Sequence, residues 1–203
     1  MPASPARISL DRCHVLILAA GRGTRMGGPK ALMLANGRPW WQIQHSRVQA
    51  LGIPTTWVVS EAVKKVVLVG AGTAGPPRMV VANDGLPMFS SLVAGLRLLS
   101  GPDGVFVLPV DTPASTNRAN WEALAAPGKV SIPTFQSKKG HPVFLPKAWV
   151  VSTVKLAQQT PDPNALRLDQ IISPLAALVP VDDPDVVTNL NSPEDLARYQ
   201  ASV

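Results

Sequence analysis

A glycine-rich loop that carries positive charge follows a buried strand near the beginning of the chain. Residues 16–32 read LILAAGRGTRMGGPKAL, and the loop part includes Arg25 and Lys30. Glycines allow positive backbone φ angles and close approach to a ligand, and successive N–H groups in such a turn attract anions. The pattern favours a phosphate-binding loop over a tight strand-to-helix turn whose cations are only solvated.

Two common phosphate-binding loops fit this stretch poorly. A P-loop needs Ser or Thr directly after its lysine, whereas Lys30 precedes an alanine. A dinucleotide fingerprint needs a third glycine where Met26 stands, and an acid about 20 residues further on. The helix predicted at 40–51 has no acid. An NAD-binding oxidoreductase is therefore kept only as an alternative.

A single carboxylate follows another apolar strand. Residues 106–115 read FVLPVDTPAS, so that Asp111 stands directly after a run of apolar residues. A carboxylate at the end of a buried strand is a suitable ligand for Mg²⁺, a hard cation that prefers oxygen. The alternative is structural, since an Asp before Pro113 also forms Asx turns or caps a helix.

Apolar runs alternate with amphipathic stretches, and these elements must position the loop and the carboxylate. The alternation is typical of βαβ crossovers and predicts an α/β fold, a Rossmann-like three-layer sandwich with a mostly parallel sheet. Ligands bind such sheets beyond the carboxyl ends of the strands. The length favours a single domain over residues 1–203. Strands are predicted at 14–19, 55–60, 65–70, 78–82, 104–110, 129–135, 141–145, 176–181 and 185–190, and helices at 40–51, 88–99, 118–125, 164–172 and 193–200.

The composition argues against several classes of protein. The only cysteine, Cys13, cannot form an internal disulfide, has no partner cluster for zinc, and fits a reducing cytoplasm. The net charge of +6 favours anionic partners. The basic residues are scattered, however, and nucleic-acid binding is not expected. Neither a signal peptide nor a membrane-spanning run is visible, so that we expect a cytoplasmic protein with no membrane partner.

The glycine-rich loop carries a resemblance to a known family. The stretch LAAGRGTRMGGPKALML resembles LAxGxGxRMGxxK, the motif of the MobA-like nucleotidyltransferases, and it is most similar to the molybdenum-cofactor cytidylyltransferase branch. The resemblance implies a sheet of the nucleotide-diphospho-sugar transferase type and a loop that wraps a nucleotide. The alanine at position 20 favours CTP over GTP as the nucleotide substrate, because guanine-specific members of the family carry a second glycine there. The implied nucleotide-binding residues of the loop are Leu18, Ala19, Ala20, Gly21, Gly23, Arg25 and Lys30.

The same resemblance assigns a metal site. It implies that Asp111, in a DxP setting, is the chief metal ligand, and that Asn189 and Asn191 fill the two polar positions of the closing motif. An amide oxygen ligates magnesium with less charge than a carboxylate. Guanylyltransferase relatives often carry asparagines here, so that GTP remains open beside CTP. Arg25, Lys30 and Asp111 are the implied catalytic residues.

Two further stretches match the resemblance more weakly. Ser90 and Ser91 stand in a serine-rich turn, where they would contact the base or ribose or else only begin a helix. His141 belongs to a Gly-His-Pro sequence that the cytidylyltransferase branch shares. This histidine would touch the second substrate or be purely structural.

These observations together predict a Mg²⁺-dependent nucleotidyltransferase. It would transfer a nucleotide monophosphate from an NTP, CTP rather than GTP, to molybdopterin, and would release pyrophosphate. A molybdoenzyme or its chaperone is the implied protein partner. The near alternatives are a GTP-using molybdopterin guanylyltransferase and a sugar-phosphate nucleotidyltransferase. From other classes, a non-catalytic nucleotide-binding regulator and the oxidoreductase remain open.

Overall fold

A twisted, mostly parallel sheet forms the centre of the molecule in the computed structural model, which describes residues 8–160, 162 and 166–202. The strands are β1 (Cys13–Ala19), β2 (Leu34–Ala35), β3 (Arg38–Pro39), β4 (Thr55–Val59), β5 (Met79–Val81), β6 (Gly104–Pro109), β7 (Ser131–Phe135), β8 (Lys138–Lys139), β9 (Val143–Pro146) and β10 (Ala177–Pro180). The strands of the central sheet follow the spatial order β10-β7-β9-β6-β1-β4-β5, with β8 paired to β7, and β2 and β3 form a separate two-stranded ribbon.

Helices cover both faces of this sheet. The helices are α1 (Trp40–Gln49), α2 (Glu61–Gly70), α3 (Met88–Leu96), α4 (Arg118–Ala125), α5 (Lys147–Gln159), α6 (Leu168–Ile172) and α7 (Pro193–Ser202). Strand β1 lies between β4 and β6 and is parallel to both, whereas β9 runs antiparallel to its neighbours. The predicted α/β class with a mostly parallel sheet is confirmed.

The side chains of β1 alternate between two separate cores, because successive residues of a strand point to opposite faces. Ile17 belongs to a core that includes residues of α1, α2, α4 and α7, and Leu16 belongs to a second core that includes residues of α3, α5 and α6. Gly95 lets α3 approach the sheet closely, since a Cβ there would lie 2.7 Å from side-chain atoms of Leu16 and Val58. The result is the expected sandwich of three layers.

The strand predicted at 65–70 is wrong, since this stretch is the second half of α2. The β-branched residues suggested a strand, but Val63 and Val67 are buried one helical turn apart on a single face. The Ser60 hydroxyl also accepts a hydrogen bond from Val63 N–H and caps the helix. Packing of one face against the sheet thus overrides the local strand propensity.

The strand predicted at 185–190 is also wrong. A 3₁₀ helix spans Pro184–Val187, because the Asp183 carboxylate accepts a hydrogen bond from Asp185 N–H and Pro184 favours a helical start. Helix α5 was not predicted at all. Of the helix predicted at 164–172 the structure shows α6, and the first two residues of that prediction lie outside the described residues.

The described helices contain no segment that is both long and apolar enough to cross a membrane.

Candidate active site

Strands β1 and β6 bring the glycine-rich loop and the carboxylate to the same edge of the sheet. They are parallel neighbours, with Leu18 in register with Pro109, and Val110 N–H donates to the carbonyl of Leu18 at 3.0 Å. The loop that follows β1 and the loop that follows β6 therefore begin side by side. This edge contains the carboxyl ends of the parallel strands, where the sequence predicts that the ligand binds.

The glycine-rich loop folds back on itself around Gly23. The carbonyl of Gly23 accepts hydrogen bonds from Met26 N–H at 2.8 Å and from Gly28 N–H at 3.2 Å. Gly23 has φ +60°, and a Cβ there would lie 2.0 Å from the Gly28 carbonyl oxygen, so that the turn requires glycine at this position. Gly21 and Gly23 line one side of a cleft.

The backbone of the loop has unused donors beside that cleft. The N–H groups of residues 21–23 donate to no backbone acceptor within the described part of the chain. A Cβ on Gly21 would meet no protein atom within 4 Å. Because the protein itself does not need glycine at this position, the open space and the free amides together suit a bound anion.

Three polar side chains meet at the mouth of this loop, and we call Lys30, Asp111 and Asn191 the cation cluster. The Lys30 Nζ atom lies 2.6 Å from Asp111 Oδ2 and 2.8 Å from Asn191 Oδ1. The Lys30 and Asp111 side chains are only 21% and 23% exposed. The three residues come from distant parts of the sequence, so that only the fold brings them together.

The closing segment is fixed to the Asp111 loop through its backbone. Leu190 N–H donates to the Asp111 carbonyl at 2.8 Å, and Asn191 N–H donates to Asp195 Oδ2 at 3.0 Å at the start of α7. Asn189 points elsewhere, since its Oδ1 accepts from Thr112 Oγ1 and its Nδ2 faces the Val187 carbonyl, both at 3.5 Å. The structure thus separates the two asparagines that the sequence treated alike.

Side chains of helix α1 hold the Asp111 loop in place through hydrogen bonds. The buried Gln44 amide donates to the carbonyls of Val110 and Thr112 at 3.2 and 2.7 Å, and its Oε1 accepts from Ala114 N–H at 2.9 Å. Trp40 Nε1 donates to the Val110 carbonyl as well, at 2.6 Å. Gln44 was not predicted from the sequence, although a polar residue on the apolar face of a predicted helix was a usable signal.

A cleft of about 210 Å³ opens between the glycine-rich loop and the start of α3. Ala19 and Ser90 do not line it. Ala19 lies on the opposite face of β1 from Leu18, and Ser90 lies one residue before Ser91, so that it faces another side of α3. The side chain of Arg25 lies outside the described residues, although its backbone belongs to the short turn Thr24–Met26. Of the predicted residues, the cleft is lined by Leu18, Ala20, Gly21, Gly23, Lys30, Ser91 and Asp111.

The far wall of the cleft was not predicted. Asp84, Leu86 and Met88 line it, and the latter two are 45% and 53% exposed apolar side chains. Asp84 Oδ1 lies 3.2 Å from Arg22 Nη2, which joins this wall to the glycine-rich loop across the mouth. The turn at residues 83–85 after the end of β5 was the available signal, because it sits at the same edge of the sheet.

His141 lies near the cation cluster on the side of β9. Burial lowers the pKa of His141, while the nearby Asp111 carboxylate opposes this shift. His141 N–H donates to the Val186 carbonyl at 2.7 Å, and the ring Nδ1 is buried without a hydrogen-bond partner in the described structure. A Cβ on Gly140 would lie 2.0 Å from the Val186 carbonyl oxygen, so that glycine is required there.

The cation cluster has the donor chemistry of a magnesium site. Asp111 and Asn191 offer oxygen atoms, and these two oxygens already hold one cation, the ammonium of Lys30. No group of three or more His, Cys, Asp and Glu residues suited to a metal occurs among the described residues. The cluster therefore fits an ion that takes most of its ligands from phosphate and water, as Mg²⁺ does.

Comparison with known proteins identifies the family. The model of the MobA-like NTP transferase domain matches residues 15–173, which include the glycine-rich loop and Asp111. The chain belongs to this family. The predicted family and the nucleotidyltransferase class are thereby confirmed, and the MobA-like domain accounts for the glycine-rich loop without a dinucleotide fingerprint.

Two curated relatives refine the assignment within the MobA-like family. The molybdenum cofactor guanylyltransferase of Cereibacter sphaeroides is 30% identical over an alignment of 204 positions, which covers 94% of this chain and 96% of that protein. The molybdenum cofactor guanylyltransferase of Ectopseudomonas mendocina (strain ymp) is 29% identical over 196 residues, which cover 94% and 92%. The predicted preference for CTP, which rested on Ala20, is not supported by these names, and the GTP alternative is favoured.

A solved structure supports the fold of this MobA-like chain. The crystal structure of a Mycobacterium tuberculosis Rv0371c homologue from Mycobacterium sp. strain JC1 has a TM-score of 0.73 and 19% identity. The match covers 95% of this chain and 96% of that chain. The sheet and both helical layers are thus a known arrangement, and the function must be argued from the site.

Proposed function

We propose that this MobA-like protein is a molybdenum cofactor guanylyltransferase, which transfers GMP from GTP to the phosphate of molybdopterin and releases pyrophosphate. The observation that carries the proposal is the cation cluster, in which Lys30, Asp111 and Asn191 meet beside the free amides of the glycine-rich loop. GTP and molybdopterin follow from the two relatives of about 30% identity that carry this name. The asparagine at 191 agrees with that branch.

The reaction is a displacement at the α-phosphorus of the nucleotide. A phosphate oxygen of molybdopterin forms the new P–O bond, and the bond from the α-phosphorus to the bridging oxygen of the β-phosphate breaks. The electron pair and the negative charge leave with pyrophosphate. The step needs no covalent intermediate with the protein, so that catalysis consists of positioning and charge neutralisation.

Different residues of the site would carry out the positioning and the charge neutralisation. The free amides of residues 21–23 and the cations Arg25 and Lys30 bind the triphosphate and stabilise the charge of the leaving pyrophosphate. Asp111 and Asn191 would hold Mg²⁺. When bound, the ion would neutralise phosphate charge and let a second anion approach. Leu86 and Met88 on the far wall offer apolar contacts to the nucleoside, and Ser91, which also lines the cleft, offers a hydroxyl.

Pyrophosphate release tests the proposal most directly. The protein is incubated with molybdopterin, Mg²⁺ and either GTP or CTP, and the nucleotide product is identified by mass spectrometry. We expect turnover with GTP at least about tenfold above turnover with CTP, a discrimination of about 1.4 kcal/mol. Faster turnover with CTP would restore the cytidylyltransferase alternative, and nucleotide binding without turnover would favour the non-catalytic regulator. A sugar phosphate in place of molybdopterin tests the remaining alternative.

The molybdoenzyme or chaperone partner stays a prediction, and so does the cytoplasmic location. Handover of the product to such a partner is tested by adding a molybdoenzyme that lacks its cofactor and measuring its recovered activity.

A further inference from the structure

The ammonium of Lys30 occupies the position between the two oxygens that would hold the metal. Its Nζ lies 2.6 Å from Asp111 Oδ2 and 2.8 Å from Asn191 Oδ1. A magnesium ion sits about 2.1 Å from its oxygen ligands. An ion bound by the same two oxygens would therefore overlap with the ammonium and would be repelled by its charge. The lysine and the metal exclude each other from this position.

We propose that Lys30 closes the metal site until the nucleotide binds, an inference that rests on the proposed function and concerns the regulation of the same site. Without nucleotide, the ammonium neutralises the partly buried Asp111 carboxylate. When a triphosphate enters the glycine-rich loop, Lys30 moves to the phosphates, and the oxygens of Asp111 and Asn191 become free. The divalent ion then enters together with the nucleotide and does not bind ahead of it.

The position of Lys30 suits this exchange. Lys30 lines the same cleft as Gly21 and Gly23, and its backbone begins the short turn that directly follows the loop. A lysine ammonium on a flexible four-carbon stem changes partners by side-chain rotation alone. A triphosphate offers the ammonium several negative charges in place of the single charge on Asp111, so that the exchange is favoured electrostatically.

The backbones of Asp111 and Asn191 stay in place when the lysine leaves, because other contacts hold them. Leu190 N–H binds the Asp111 carbonyl, and the Gln44 amide binds the carbonyls on either side of that residue. Asn191 is held through its own N–H by Asp195. Removal of the ammonium therefore leaves the two residues beside each other, with both side-chain oxygens available to an ion.

Binding of Mn²⁺ to the nucleotide-free protein tests the inference. Free Mn²⁺ is measured by electron paramagnetic resonance during titration of the wild type, of Lys30→Met and of Lys155→Met. Lys155 is an exposed lysine of α5 outside the cleft, so that its variant removes the same formal charge without opening the site. We expect Lys30→Met to bind Mn²⁺ about tenfold more tightly than the wild type, or about 1.4 kcal/mol. Lys155→Met should match the wild type.

Each outcome separates this inference from the proposed function. Equal affinity of Lys30→Met and the wild type, or equal gains in both variants, overturns the closing role of Lys30 even if GTP binds and turns over. Calorimetric titration of GTP into the wild type with Mn²⁺ present tests the proposed function separately, and absence of binding there overturns nucleotide exchange as well. Circular dichroism melts establish that the variants fold, and Lys30→Gln replaces Lys30→Met if the latter does not.

Discussion

The N–H of Leu190 donates to the carbonyl oxygen of Asp111 at 2.8 Å, and this bond joins the loop after β6 to the segment before α7. It sets the Asn191 amide beside the Asp111 carboxylate, so that both reach the Lys30 ammonium. The site therefore depends on a backbone contact between two loops as much as on its side chains.

Replacement of the carboxylate should abolish turnover. Asp111→Asn keeps the shape of the side chain but removes its charge, and we expect kcat for pyrophosphate release to fall at least about 100-fold. Asp103→Asn is the matched control, because Asp103 precedes the opposite end of the same strand, where it pairs with Arg12. Retained turnover in Asp111→Asn would refute the metal site.

The two asparagines should respond differently. Asn191→Ala removes an oxygen of the cation cluster, and we expect Mn²⁺ affinity in the presence of nucleotide to fall at least about tenfold. Asn189→Ala should change it by less than about twofold, since that side chain faces Thr112 and Val187. Calorimetric titration of both variants decides the matter, and a larger effect at 189 would reverse the assignment.

Alanine substitutions at two glycines of the loop should have different effects, one on nucleotide binding and the other on stability. Gly21→Ala should leave the free energy of unfolding within about 0.5 kcal/mol of the wild type, because its Cβ meets no protein atom, but should weaken nucleotide binding. Gly23→Ala should destabilise the fold by about 1–3 kcal/mol, because of its positive φ and the clash with the Gly28 carbonyl. Urea denaturation and nucleotide titration separate the two effects. Normal nucleotide binding by Gly21→Ala would argue against the anion site.

The buried amide of Gln44 should matter for both stability and activity. Gln44→Ala leaves the Thr112 carbonyl and the Ala114 N–H of the Asp111 loop without partners, and we expect a loss of about 2–4 kcal/mol in the free energy of unfolding. The Val110 carbonyl keeps the hydrogen bond from Trp40 Nε1. Gln42→Ala, on the exposed side of α1, should cost less than about 1 kcal/mol. Chemical denaturation measures both, and similar losses would contradict the supporting role of Gln44.

The stability of the protein should fall on acidification because of its buried histidines. Burial lowers the pKa of His14 to about 4, and the positive charge of Arg78 adds to this shift. Between pH 6.5 and about 4 the unfolded chain binds a proton that the folded His14 does not, so that stability is present above pH 6.5 and is lost as the pH falls. Unfolding at several pH values should show a shallower slope for His14→Gln. An unchanged slope would assign the effect to other groups, such as His45 and His141, whose pKa values burial also lowers.

The sequence by itself determined the fold class and singled out the glycine-rich loop as a candidate phosphate site and Asp111 as a candidate metal ligand. These features depend on local signals: the alternation of apolar runs, the glycines around Arg25, and an acid directly after a buried strand. The same local signals misassigned 65–70, because β-branched residues favour strands until one helical face is buried against a sheet.

Only the tertiary structure decided which side chains meet. It placed Lys30 against Asp111 and Asn191, turned Asn189 and Ser90 away from the cleft, and revealed the buried support from Gln44. The physical reason is that these contacts join residues far apart in the chain. They are fixed by strand order and by hydrogen bonds between loops, which no local periodicity encodes.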